Sequence, residues 1–340
     1  MILRVAGLSD VARLAGVSVS VVSRVLNGDP ALRAREETRE RVRRAAAELN
    51  YTPNHAARAL RLSAAGAIGL IVPDVTNAIF AEVMRGVEDA ADAAGLQVLL
   101  GRAEQLMPGS DFLRRLLGEG RVDGFLIQRR DDVDAHQFQE IIEGNMPVVL
   151  VNSRGSRKGS VVLDDVAGAA LGTEHLLALG HRRIALIGGD VHSHTGRQRE
   201  RGFAAALTAA GVRRNSRAIT HGGYTPQGGR ESLLELMRRP GPRPSAVVVA
   251  NVNAAIGVLD GARTLGIEVP SDLSVLAIHD TWVAEFSATP LTTVKMPLYE
   301  LGRTGVDVLR SRMAGHRGAD VVVMSPRPVL VIRESTAPPA

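Results

Sequence analysis

Leu8-Ser9-Asp10-Val11-Ala12-Arg13-Leu14-Ala15-Gly16-Val17-Ser18-Val19-Ser20-Val21-Val22-Ser23-Arg24-Val25-Leu26-Asn27 decides how the rest of the chain is read. Its apolar residues recur at helical spacing on either side of Gly16, so it predicts two short helices joined by a turn. Ser9 is placed to cap the first and Ser18 the second. Val11, Ala12 and Ala15 can meet Val22, Val25 and Leu26 in one small core. Asn27-Gly28-Asp29-Pro30 stops the second helix. A third helix is expected over 36–49, with Val42, Ala45, Ala46 and Leu49 inward and Arg39, Arg43 and Arg44 outward.

Two readings fit such a hairpin: an ordinary structural element, or a helix–turn–helix whose second helix enters the major groove of DNA. Charge separates them. The first 62 residues hold eleven Arg, no Lys and six Asp plus Glu, which accounts for the whole formal net charge of +5. The remainder carries thirty basic and thirty acidic side chains. A basic helical head on a neutral body is the footprint of a polyanion-binding module attached to something else. In that reading Val19, Ser20 and Arg24 face base edges, and Ser23, Arg24 and Asn27 reach phosphates.

Composition bounds the alternatives. A chain of 340 residues with 45% hydrophobic content has room for two domains or three. It contains no cysteine, which excludes disulfides, thiolate metal sites and cysteine nucleophiles and fits a reducing cytoplasm. No apolar run approaches the roughly 20 residues that span a bilayer. Arg4, Ser9, Asp10 and Arg13 interrupt the apolar core a signal peptide needs. The expectation is a cytoplasmic protein with no membrane partner.

Residues 51–62, Tyr51-Thr52-Pro53-Asn54-His55-Ala56-Ala57-Arg58-Ala59-Leu60-Arg61-Leu62, form a linker. Pro53 ends the preceding element and Asn54 can cap a new helix. The eight residues that follow are good helix formers, but too few to hold a helix alone in water. Leu60 stands where an apolar wedge could part a minor-groove base step, flanked by Arg58 and Arg61. A plain flexible connector with a chance leucine fits the same residues equally.

From residue 66 the pattern changes to a strand–helix rhythm. Apolar, β-branched runs occur at 67–72, 97–100, 124–127, 147–151, 161–163, 184–187, 246–249 and 275–278. Helical segments lie at 79–94, 111–117, 166–179, 199–210, 226–237 and 254–265. Continuous apolar strands suit a parallel sheet buried on both faces, and alternation implies doubly wound α/β units. The strands are too many for one small sheet, so two similar α/β subdomains are expected. The domain organisation read from the sequence is a helix–turn–helix domain over 1–50, a hinge helix and linker over 51–65, and a two-subdomain sensor over 66–340.

The residues now carry a resemblance. Asp10-Val11-Ala12, Leu14-Ala15-Gly16-Val17-Ser18, Val22-Ser23-Arg24-Val25-Leu26-Asn27-Gly28 and Glu37-Thr38-Arg39-Glu40-Arg41-Val42 are similar to the headpiece of the LacI/GalR family of bacterial transcriptional regulators. So is Tyr51-x-Pro53-Asn54-x-x-Ala57-Arg58-x-Leu60-Arg61. The likeness continues through Ile68-Gly69-Leu70-Ile71-Val72-Pro73-Asp74 and Leu179-Gly180-His181-Arg182-Arg183-Ile184-Ala185, and ends at Arg333-Glu334-Ser335. It implies an all-α headpiece and a periplasmic-binding-protein-like α/β sensor. It also implies a homodimer on a palindromic operator in double-stranded DNA, a hinge helix whose Leu60 parts the central step, and a small effector between two subdomains. Ser18, Asn54 and Ala57 join the DNA-facing set on this ground. Departures are Val21 in place of a usual Thr, a longer loop over 29–36, Ala78 and Ile79 before Phe80, and Val252 in place of an acidic residue.

Ligands of open α/β sheets bind beyond the carboxyl ends of the strands. Asp74, Asn77 and Phe80 follow the first strand. Asn152-Ser153, 190–195, Asn251 and His279-Asp280 follow others. The resemblance implies that Asn152, Thr195, Arg199, Tyr224, Asn251 and Asp280 converge on the effector, a carbohydrate or a nucleoside-like molecule. Arg199 can grip a hydroxyl pair or a carboxylate, and Phe80 and Tyr224 can stack on a ring. No cofactor is expected. His192-x-His194 lacks the further ligands of a metal site, and Gly222-Gly223 and Gly228-Gly229 lack a phosphate-loop frame and read as turns. No triad or carboxylate pair advertises an enzyme. The leading expectation is a ligand-switched repressor. The alternative is a solute-binding or chemoreceptor-type sensor without a DNA function, which residues 66–335 alone would support.

Overall fold

The computed structural model describes residues 6–27, 29, 31–51, 64–103, 120–129, 146–155, 159–213 and 215–340. The chain divides into two units, residues 1–65 and 66–340. No helix among the described residues is long and apolar enough to cross a membrane.

In the first unit α1 (Leu8–Ala15), α2 (Val19–Leu26) and α3 (Glu36–Glu48) enclose Val11, Ala12, Ala15, Val22, Val25, Leu32, Val42, Ala45 and Ala46. Gly16 adopts φ 63°, the left-handed turn that ends α1 and that a side chain would strain. Ser18 caps α2, its Oγ accepting from the Val21 backbone at 3.3 Å. Ser9 does not cap α1. The helix starts two residues earlier, with Gly7 at its N-cap, because the Asp10 carboxylate accepts from the Gly7 backbone at 3.0 Å and places Ser9 in the first turn. The longer loop is anchored: Asp29 accepts from Arg24 Nε at 2.8 Å and from the Ala31 backbone at 2.9 Å, and Leu32 drops into the core.

The second unit holds two six-stranded sheets. The first has order β2-β1-β3-β4-β5-β11, all parallel. It comprises β1 (Ala67–Val72), β2 (Gln97–Arg102), β3 (Phe125–Ile127), β4 (Val148–Val151), β5 (Ser160–Leu163) and β11 (Val321–Val323). The second has order β7-β6-β8-β9-β10-β12. It comprises β6 (Ile184–Ile187), β7 (Ile219–Thr220), β8 (Ala246–Val249), β9 (Ser274–Ile278), β10 (Thr292–Lys295) and β12 (Val329–Val331), the last antiparallel to β10. Every residue of β1, β3, β4, β6, β8 and β9 is buried, as continuous apolar runs require, whereas the edge strand β2 is largely exposed.

The chain crosses between the sheets three times. After β5 it enters α5 (Asp165–Ala178), which packs on the second sheet. After β10 it returns as α10 (Leu298–Met313) against β3, β4 and β5. After β11 it crosses once more to β12. The other helices among the described residues are α4 (Ile79–Ala93), α6 (His194–Ala209), α7 (Pro226–Arg238), α8 (Val252–Thr264) and the short α9 (Trp282–Glu285). Where α4 crosses α10 the two backbones touch through glycine: a Cβ on Gly86 would strike the Tyr299 carbonyl, and one on Gly302 the Val83 carbonyl.

The two-sheet expectation matches this architecture. The sequence reading omitted β7, β10, β11, β12, α9 and α10. The strands among these are two to four residues long, and β7, β11 and β12 lie at the edges of their sheets. The expected helix over 111–117 lies outside the described residues.

Candidate functional site

A cleft of about 450 Å³ opens beyond the carboxyl ends of both sheets. From the first sheet it is lined by residues after β1 (Asp74, Thr76, Asn77 and Phe80 among them), Arg102 at the end of β2, Gln128 after β3 and Asn152 after β4. From the second it takes Asp190, Thr195 and Arg199 after β6, Gly223 to Thr225 after β7, and Asn251 after β8. Asn77, Phe80, Asn152, Thr195, Arg199, Tyr224 and Asn251 therefore come together on one cavity.

Most of the lining is fixed by hydrogen bonds of its own. Asn77 Oδ1 accepts from the Ile79 backbone at 3.3 Å. Ser193 Oγ caps α6 by accepting from Gly196 at 2.8 Å, and also meets the Tyr224 hydroxyl at 2.9 Å. Thr195 Oγ1 meets the same hydroxyl at 2.7 Å. Gly189 makes room for this ring, since a Cβ there would overlap the Tyr224 hydroxyl. Asn251 caps α8 through Oδ1, which accepts from Ala254 at 2.8 Å, while its Nδ2 donates to the Tyr224 carbonyl at 3.1 Å. Asn152 is the exception. Its Oδ1 is buried and has no hydrogen-bond partner among the described residues.

Arg199 is 3% exposed and its guanidinium is engaged on three sides. Nε donates to Asp165 Oδ1 at 2.8 Å, an Nη1 hydrogen goes to the Ala250 carbonyl, and an Nη2 hydrogen goes to His279 Nε2 at 2.8 Å. The Tyr224 ring lies 5.9 Å from its Cζ. Arginine has no acceptor, so His279 Nε2 must be the acceptor and the ring is the neutral tautomer with its proton on Nδ1. Burial, reinforced by the Arg199 charge, holds His279 well below the usual imidazole range. Burial pushes the Asp165 carboxyl above its ordinary value, against the pull of Arg199. Asp165 Oδ2 and His279 Nδ1 are buried without partners among the described residues. Of the guanidinium's five N–H groups, two remain for anything that enters the cleft.

Asp280 lies elsewhere. It is not on the cleft lining; its Oδ1 accepts from Arg333 Nη1 at 2.8 Å and from Thr293 Oγ1 at 2.7 Å. The residue before it, His279, holds the contact to Arg199. Asp165 was missed by sequence reasoning altogether. In Asp164-Asp165 the first carboxylate caps α5, accepting from Ala167 at 3.0 Å, and a second acidic residue in a first helical turn reads as dipole compensation. Only the fold reveals its partner 34 residues on. Among the described residues no group of three or more His, Cys, Asp or Glu could hold a metal ion.

In the first unit Ser18, Val19 and Ser20 are exposed at the N-terminal end of α2. Val19 keeps 44% exposure and takes no part in the core of this unit. Ser23 and Arg24 are half-buried. Asn27 Nδ2 donates to the Ser23 carbonyl at 2.6 Å, and Arg24 is ion-paired with Asp29, so both side chains are held in place. Asn54, Ala57, Arg58, Leu60 and Arg61 lie outside the described residues.

Residues 7–54 match the family model for bacterial regulatory proteins of the lacI family, and residues 173–336 match that for a periplasmic binding protein-like domain. The chain is 33% identical over 335 residues to the HTH-type transcriptional regulator DegA of Bacillus subtilis, covering 97% of both. It is 33% identical over 313 residues to the ribose operon repressor of Escherichia coli, covering 91% of this chain and 93% of that protein. Its fold resembles the crystal structure of the Lac repressor dimer bound to operator and an anti-inducer, with a TM-score of 0.80 and 29% identity over 98% of this chain and 99% of that one.

Proposed function

The chain belongs to the lacI family of bacterial regulatory proteins, and from that premise we propose that it is a transcriptional repressor switched by a small molecule in the cleft. The observation that carries this reading is the pairing, in one chain, of a basic helix–turn–helix unit with a 450 Å³ cleft set between two parallel sheets. Neither alone would specify a switch. As in the dimeric Lac repressor on its operator, two copies place two α2 helices in successive major grooves of a palindromic duplex. Val19, Ser20 and Arg24 face base edges, with Ser18 beside them at the N-cap of α2. Ser23, Arg24 and Asn27 serve the backbone, where phosphate contacts fix register and base contacts specify.

The hinge, with Asn54, Ala57, Arg58, Leu60 and Arg61 on the minor groove, rests on the family resemblance. Ligand contact with Asn77, Phe80, Asn152, Thr195, Arg199, Tyr224 and Asn251 changes the relation of the two subdomains and, through the dimer, the spacing of the hinges. A coupling of about 1–3 kcal/mol changes operator affinity roughly 5- to 150-fold. A sugar is the effector favoured, in line with the name of the ribose operon repressor.

The test is selection of bound duplexes from a random pool with the full chain at two salt concentrations. The expected product is a palindrome of about 14–20 base pairs, with two half-sites one helical turn apart, and affinity that falls steeply with salt. Absence of enrichment both with and without a small-molecule extract of the cells would overturn the DNA reading and leave a solute-binding sensor.

A further inference from the structure

Arg199 is the most buried cation among the described residues of the cleft, and its charge is already answered. Asp165, with no exposed side-chain surface, holds Nε at 2.8 Å, and His279 on the far side can contribute no charge of its own. Among the described residues the remaining charged lining is Asp74, Asp190 and Arg102, and Arg102 lies at the exposed end of β2. A bound anion would therefore lose its hydration against a neutralised guanidinium while facing two carboxylates. Burying a charge without a counter-charge is costly. The cleft does offer acceptors. Asn152 Oδ1 is buried on its lining and unpartnered among the described residues, and Asp74 and Asp190, whose Oδ1 atoms already accept from Thr76 and from the His192 backbone, line the same space. These ask for O–H donors. The two spare N–H groups of Arg199 ask for a hydroxyl oxygen.

Resting on the ligand-switch reading above, we propose that the cleft takes an uncharged, polyhydroxylated ligand and rejects its phosphorylated and carboxylated forms, with Asp165 setting this choice. Asp165 acts through Arg199. It is a positioning residue that removes the charge an anion would need.

The experiment passes a small-molecule extract of the producing cells through a cation exchanger and then an anion exchanger. Each fraction is assayed with the full-length protein for a saturable rise in Tm and for release of operator. Activity in the unretained fraction, lost after periodate cleavage of vicinal diols, is the expected result. Activity retained by either exchanger, or surviving periodate, overturns the inference and leaves the ligand switch standing. Silence of all fractions overturns both. A second arm uses inorganic phosphate as the probe. Asp165→Asn is expected to gain a phosphate-dependent rise in Tm, with about 10- to 100-fold tighter binding than the parent once the guanidinium is released. The gain should vanish in Asp165→Asn/Arg199→Gln. A folded Asp165→Asn protein with no gain would remove Asp165 as the determinant, and if that variant does not fold, the fractionation alone decides.

Discussion

Asn152 and His279 occupy the same position in the two sheets. Each follows the fourth strand in its sheet order, β4 or β9, and each has a positive φ, 51° and 70°. Each donates its backbone N–H to the next strand, Asn152 to Val161 at 2.8 Å and His279 to Val294 at 2.9 Å. The two sheets thus repeat one local structure, which places Asn152 on the cleft lining and His279 against Arg199. Neither residue is glycine, so each backbone sits in the left-handed region that other residue types enter only with some strain.

His279 combines that strain with a contact. His279→Ile removes the acceptor of Arg199 and places a β-branched residue in the left-handed region. It is expected to lose about 2–4 kcal/mol of stability in urea unfolding. His279→Asn tolerates the backbone and should lose less than half as much. Equal losses would mean that the backbone conformation is not what the position selects for.

Stability should fall in mild acid. His175, His181 and His279 are all held below the ordinary imidazole value of 6.5 by burial. The folded protein therefore binds fewer protons than the unfolded chain once the pH drops below that value. The contribution is complete above about pH 6.5 and is lost as pH falls, each histidine adding a slope of up to about 1.4 kcal/mol per pH unit. His181 bonds Ser245 through Nδ1 at 2.9 Å and the Ala337 carbonyl through Nε2 at 2.8 Å, so His181→Gln should flatten the profile. A urea midpoint unchanged between pH 7.5 and 5.5 would refute this.

Arg199→Met leaves Asp165 buried without a counter-ion. Breaking a buried pair in this way costs about 3–5 kcal/mol. Arg199→Met/Asp165→Leu is expected to recover most of the loss, because the penalty lies in the orphaned charge. A double-mutant cycle in guanidinium chloride measures this directly.

Asp280 is tied to Arg333 and Thr293 rather than to the cleft. Asp280→Ala should cost about 1–3 kcal/mol and loosen the segment around Arg333 to limited proteolysis. Ligand-induced operator release should be unchanged. Loss of that release with normal stability would return Asp280 to the binding site.

Legibility followed contact range. The α2 surface, the buried strands and the cleft residues Asn77, Phe80, Asn152, Thr195 and Asn251 could be read because each belongs to a local pattern: a cap, an apolar run or a residue following a strand end. Arg199 and Tyr224 came only from the family resemblance. Asp165 could not be read, since its partner is set by the crossing from β5 into α5. Asp280 and His279 are adjacent at a strand end, and which of them turns toward Arg199 depends on the positive φ of His279, which its residue type does not announce. The short strands β11 and β12 gain their identity from the sheets they close rather than from their own sequences.

Those closing strands have a consequence for synthesis of the protein. The ribosome delivers β11 and β12 last, one to each sheet, followed by the Ser335 to Ala337 stretch that ties β9 and β10 together. A nascent chain stalled before Val321 carries two unfinished sheets, with β5 and β10 presenting open edges at once. Exposed edges recruit other strands. Premature termination late in the message should therefore yield an aggregating product and not a shortened, folded chain.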